Sequence, residues 1–109
     1  MAIKRLARTE AAGLVRKCLQ TGRRVIPGSH FRKELEKEGL TLPDALHVLR
    51  TGQIYDEPEP DPKTGEWKYR IEGKEVDGKS LAIVFCFKEF DEVDTVFLIT
   101  VFLTRQREK

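Results

Sequence analysis

Residues that build metal and redox centres are scarce in this sequence. It holds two cysteines, two histidines, one methionine and one tryptophan in 109 residues. Cys18 and Cys86 stand far apart, in stretches that read as a helix and a strand, and His30 and His47 have no Cys-x-x-Cys beside them. That spacing fits neither a zinc site nor a disulfide framework, so no metal is expected, and buried reduced thiols in a cytoplasmic setting are. No Gly-rich phosphate loop and no Gly-x-Ser-x-Gly elbow occurs, and no cofactor is expected. The longest charge-free apolar stretch runs from Thr95 to Thr104, far short of the ~20 residues of a membrane helix. No basic start followed by an apolar stretch marks a signal peptide, so no membrane partner is expected.

What is present is charge: 35% of residues are charged and 39% hydrophobic, a globular balance at a length suited to one domain. The net charge of +2 hides a segregation. Residues 1–37 carry ten Lys/Arg against three Asp/Glu, and the remainder carries ten against fifteen. A segregated basic third presents a local positive field, suited to RNA, DNA or an acidic partner, or simply to the solvated faces of two helices.

Helical signals come first along the chain. Thr9 is a candidate cap for a helix to about Gln20, with Ala7, Ala11, Leu14, Val15, Cys18 and Leu19 at helical spacing and Thr21-Gly22 as its stop. Lys4, Arg8, Ala12 and Arg16 lie four apart on another face. Arg23 to Pro27 reads as extended. Ser29 is a candidate cap for a helix from His30 to about Glu38, stopped by Gly39. Thr41-Leu42-Pro43-Asp44 opens the clearest helix, with Thr41 as cap, Pro43 in the first turn and Asp44 three residues on. Leu42, Ala45, Leu46 and Leu49 form its expected buried stripe, with His47 and Arg50 off it.

From Gln53 the period changes. Gln53–Asp56 reads as a short strand and Glu57–Gly65 as a Pro-rich loop. Trp67–Val76, Ser80–Lys88 and Thr95–Thr104 read as three strands of an antiparallel meander, with Asp91–Asp94 as an acidic turn. The expected fold class is α+β: two or three N-terminal helices on one face of a three- or four-stranded antiparallel sheet. Residues 1–28 form a basic helix and extended segment, 29–104 one α+β domain, and 105–109 a polar tail.

Parity selects the hairpin register. A two-residue Asp77-Gly78 loop puts Lys68, Arg70 and Glu72 among Leu81, Ile83, Phe85 and Phe87, which buries charge at high cost. A three-residue loop with Gly78 in the left-handed conformation puts Tyr69 and Ile71 there instead. The second register is therefore expected, with Phe97, Ile99, Val101 and Leu103 on the core face. Lys68, Arg70 and Glu72 then share a second face with Ala82, Val84, Cys86, Val96, Leu98, Thr100 and Phe102. That face suits a ligand groove, a homodimer contact or a partner peptide, unless the N-terminal helix or a tail covers it.

One chemical constellation stands out. Metal-independent RNA cleavage needs a cation on the scissile phosphate and groups that move protons. Lys68 and Arg70 project from one side of one strand and can meet one phosphate. His30 and His47 have the side chain whose pKa lies nearest neutrality. Arg32, Lys33, His47 and Arg50 are candidate nucleic-acid contacts. A buried Cys86 beside Arg70 reads better as a packing thiol than as a nucleophile.

The stretch Ser29–Thr41, then Leu42–Ile54, with Tyr69-Arg70-Ile71-Glu72-Gly73 and Leu98-Ile99-Thr100-Val101-Phe102, resembles a bacterial domain of unknown function. That domain opens with a histidine-led helix, continues with a "Leu-x-x-Gly-x-Ile" step and ends on "Ile-Thr-Val-Tyr". The resemblance spans about residues 29–103, with His30 and Thr100 at the matching positions. Glu34 and Glu38 stand where that family often carries Arg. Its layout is similar to the RelE/ParE and BrnT toxin group. The resemblance implies a RelE-like fold, ribonuclease activity on RNA with His30 and Thr100 at the matching positions, and an antitoxin-like protein as partner; Lys68 and Arg70, which strand parity puts on one phosphate, complete the expected catalytic set. A non-catalytic protein-binding or dimerisation module is the competing reading.

Overall fold

The computed structural model describes residues 4–20, 24–90 and 93–104. Three helices and five strands follow in chain order: α1 (Arg8–Leu19), β1 (Val25–Pro27), α2 (Ser29–Lys37), α3 (Leu42–Thr51), β2 (Glu59–Pro60), β3 (Trp67–Lys74), β4 (Ser80–Phe90) and β5 (Val93–Leu103). The strands form one open sheet in the order β1-β5-β4-β3-β2. The α+β expectation holds, but the sheet has five strands and is mixed, not three- or four-stranded and antiparallel. β1 joins β5 in parallel and the two-residue β2 joins β3. Both outer strands are very short and each carries a proline, Pro27 and Pro60, which blunts the sheet edges against further pairing.

Helix α3 starts as its capping signals require. Asp44 N–H donates to Thr41 Oγ1 at 3.4 Å and Thr41 N–H donates to Asp44 Oδ2 at 2.8 Å. The other two caps differ from the expected ones. Thr9 lies inside α1, whose cap is Ala7; the Ala7 N–H donates to Glu10 Oε1 at 3.0 Å, so a carboxylate one turn on satisfies the free amide. Ser29 is the first residue of α2 and Gly28 the cap. Thr21-Gly22, Asp91 and Glu92 of the expected Asp91–Asp94 turn, and the 105–109 tail lie outside the described residues.

All three helices bury their apolar sides against one face of the sheet. Ala11, Val15 and Cys18 of α1, Phe31 and Leu35 of α2, and Ala45, Val48 and Leu49 of α3 meet Tyr69, Ile71, Leu81, Ile83, Phe85, Phe87, Val96, Leu98 and Val101. In α3 the buried stripe turns toward Val48, and Leu42 is left exposed. Tyr69, Phe85 and Phe87 form an aromatic knot with centroids 5.3–5.6 Å apart. The Tyr69 hydroxyl accepts the Leu6 N–H at 2.8 Å, which ties the segment before α1 to β3.

The β3–β4 register is the expected one. Tyr69 faces Phe85, Ile71 faces Ile83 and Arg70 faces Val84. The Glu75 N–H donates to Lys79 O across the turn, and Gly78 adopts φ 92°, the left-handed conformation a three-residue loop needs. On β5 the expected parity fails in the N-terminal half. Val96 and Leu98 are in the core, while Phe97 lies on the second face opposite Cys86. A bulge is the cause: Val84 pairs with Thr100 and Phe85 with Leu98, so Ile99 is an extra residue that reverses parity between the halves. The expected strand at Gln53–Asp56 reduces to one bridge, Gln53 with Glu72, because α3 ends directly on β3. Gly52 makes that approach possible: a Cβ there would lie 2.6 Å from both Glu72 O and Val48 O.

Candidate functional site

Two surfaces carry the candidate residues. The first is the second face of the sheet. Its rows across β3, β4 and β5 read Lys68-Cys86-Phe97, Arg70-Val84-Thr100 and Glu72-Ala82-Phe102. Lys68, Arg70 and Thr100 therefore share a face, as their parity requires. The N-terminal helix does not cover them, since α1 packs on the opposite side.

This face is covered by its own long side chains. The Arg70 guanidinium lies over the Phe102 ring at 4.9 Å, and Lys88 Nζ lies over Phe97 at 4.6 Å. Arg70 Nε sits 3.2 Å from Glu72 Oε2, an ion pair whose geometry falls short of a hydrogen bond, so the buried Nε is held by charge alone. Lys68 lies 3.9 Å from Asp61 and Lys88 3.9 Å from Glu66. Each of the three cations thus has its own carboxylate. Cys86 is inert as a nucleophile: burial pushes its thiol up to about 11.

His30 does not join this group. It lies in the first turn of α2, 66% exposed, with Nε2 3.7 Å from Glu34 Oε1. Helix α2 follows directly on β1, and β1 is three strand spacings from β3, about 14 Å at ~4.8 Å per strand. The expected catalytic set is therefore split between Lys68, Arg70 and Thr100 on one side and His30 in the helix layer. Among the described residues no group of three His, Cys, Asp or Glu side chains could hold a metal ion.

The second surface is the seam between α1 and α3. Arg16 spans it: Nε donates to Arg50 O and Nη2 to Gly52 O, both at 2.9 Å. A guanidinium here satisfies carbonyls that α3 leaves free at its C-terminus and sits at the negative end of that helix dipole. Two clefts flank it. One, of about 390 Å³, is lined by Arg16, Leu19, Gln20 and Arg50. The other, of about 220 Å³, is lined by Arg8, Thr9, Ala12, Arg16, Gly52, Gln53 and Ile54. Among the described residues no carboxylate lines either. Glu57 lies at the outer end, 3.0 Å from Arg5 and 3.3 Å from Arg8. Among the described residues the end at Arg16 and Arg50 has no carboxylate, only the carbonyls at the α3 C-terminus.

Of the four expected nucleic-acid contacts, His47 and Arg50 lie one turn apart on α3 beside this seam. Arg32 and Lys33 are on α2. Arg32 Nε donates to Pro27 O at 3.3 Å and borders a separate, largely apolar hollow of about 290 Å³ with Leu35, Leu40 and Leu42. The residue that sequence reasoning missed is Arg16. Its position in the Lys4, Arg8, Ala12, Arg16 row was visible, but its partners, 34 and 36 residues away, were not.

A family model described as Domain of unknown function (DUF4258) matches residues 28–103. No curated protein and no solved structure matches the chain. Nothing in these comparisons links the family to the RelE/ParE or BrnT toxins. Among the described residues no helix is long and apolar enough to cross a membrane.

Proposed function

We propose that this chain, which belongs to the family Domain of unknown function (DUF4258), binds RNA through its sugar–phosphate backbone at the α1–α3 seam and does not cleave it. The observation that carries this reading is the cleft walled by Arg16 and Arg50, with Gln20 and Leu19 and, among the described residues, without a carboxylate. Phosphate contacts from Arg and Lys supply most sequence-independent RNA affinity. Arg is charged at every working pH and offers several donors to one phosphate. Arg50 makes no ion pair among the described residues, and the segment 4–20 that forms the other wall carries five cations against one acid.

RNA is proposed as ligand rather than substrate because the groups expected to cleave it are apart. His30 reaches Glu34, and Arg70 is committed to Glu72 and Phe102. A toxin-type ribonuclease therefore has no assembled proton-transfer pair in its support. A homodimer or an antitoxin-like partner on the second sheet face is favoured less, because Arg70 and Lys88 already cover its rings.

The test is fluorescence anisotropy with a labelled single-stranded RNA over a salt series. The expected result is that log affinity falls linearly with log salt. Arg50→Ala should weaken binding and lower that slope by ~0.7 for each phosphate no longer neutralised. Arg70→Ala should leave both unchanged, and the RNA should stay intact. Salt-independent or absent binding overturns the proposal, as does RNA cleavage that His30→Ala or Arg70→Ala abolishes.

A further inference from the structure

We infer that α1 docks as a unit separable from the rest of the fold, and that a ligand in the α1–α3 cleft locks it down. This rests on the RNA-binding reading and adds a regulation of that same site. Helix α1 lies outside the family match, which begins at residue 28. Its fully buried side chains, Ala11, Val15 and Cys18, are small, and Leu14 and Leu19 are only partly buried, whereas α2 inserts Phe31 and Leu35. It is held besides by polar clamps: Arg16 on the α3 carbonyls, Leu6 N–H on the Tyr69 hydroxyl, Arg8 Nη1 on Tyr55 O, and the exposed ion pairs of Arg5 and Arg8 with Glu57. A layer whose fully buried side chains are small and whose remaining hold is largely polar ties at or near the surface is the part of a fold that opens at least cost.

The cleft has one wall on this layer and one on the family domain. Arg16, Leu19 and Gln20 come from α1 and the residue after it, and Arg50 from α3. A phosphate that touches both walls binds only the docked form, so binding and docking must be linked. Arg16 is then a positioning residue as well as a ligand contact: its guanidinium joins the two walls whose separation the ligand reads.

The chain carries its own reporters. Cys18 is fully buried under α1, with Sγ 3.6 Å from Asp94 O. Cys86 is buried on the central strand β4, on the opposite face. Lifting α1 exposes the first thiol, whereas the second is covered only by side chains of its own sheet face and is untouched by α1.

The experiment is timed alkylation of the full chain with iodoacetamide, followed by peptide mass spectrometry of each cysteine. The Cys18 rate reports the docking of α1, and the Cys86 rate is the internal reference that α1 does not touch. Unlabelled single-stranded RNA at about nine times its Kd should slow Cys18 about tenfold. Arg16→Lys, which keeps the charge but loses the fork, should speed Cys18 alkylation without RNA about tenfold. A Cys18 rate that Arg16→Lys leaves unchanged, with Cys86 as the reference, overturns the inference. RNA that binds by anisotropy yet leaves the Cys18 rate unchanged overturns it too, and leaves the RNA-binding reading standing. Absence of RNA binding removes both.

Discussion

The second sheet face and the α1–α3 seam carry similar numbers of cations and use them in opposite ways. On the sheet face Lys68, Arg70 and Lys88 each lie near a carboxylate, and two of them stack on rings. Charge there replaces a missing layer: aliphatic stems cover apolar strands and the heads are neutralised. At the seam Arg16 spends two donors on backbone carbonyls, which are dipoles rather than counter-charges, and Arg50 makes no ion pair among the described residues. A row of basic residues is thus a poor guide to an anion site, and the count of carboxylates around it is a better one.

The largest effect should come from the backbone junction that sets the seam. Gly52→Ala forces a Cβ to within 2.6 Å of two carbonyl oxygens, and about 3 kcal/mol of stability should be lost in urea unfolding. Arg70→Ala sharpens the contrast from the other side. It removes one partner of Glu72, 6% exposed, while the Arg itself is 38% exposed. That partial exposure holds the expected loss to about 1–2 kcal/mol, with RNA affinity unchanged. Arg50→Ala should do the reverse: about 1 kcal/mol of RNA binding lost, read by anisotropy, with stability within about 0.5 kcal/mol of wild type.

The smallest effect tests the α3 cap. The Thr41 amide, then its hydroxyl, hold the Asp44 carboxyl below the ordinary carboxylate value. A depressed folded pKa contributes stability that is present above pH ~4 and lost as pH falls through the folded value. Asp44→Asn should flatten that part of the acid limb in a pH series of thermal melts, and leave stability near neutrality lower by less than about 1 kcal/mol.

Much of the sheet was legible because its signals are local. Tyr69 and Ile71 alternate with Lys68, Arg70 and Glu72, so only one parity buries the apolar set, and Gly78 supplies the turn that this parity needs. Strand β5 was half legible. Val96, Phe97, Leu98 and Ile99 are all apolar, so alternation there carries no sign, and the bulge at Ile99 reversed the assignment of Val96 and Phe97. The shared face of Lys68, Arg70 and Thr100 could be read from spacing. The separation of His30 could not, since it depends on which edge of the sheet receives β1.

Sequence alone determined the three helices, the hairpin register and the α+β class, because turns, caps and period-two alternation act over a few residues. Tertiary structure alone decided the parallel pairing of β1 with β5, the reversal within β5, the neutralisation of Lys68 by Asp61, and the meeting of Arg16 with the end of α3. These pairings depend on how whole layers come together, not on neighbours in the chain. Their free energies come from burial and dipoles that exist only once the layers have packed.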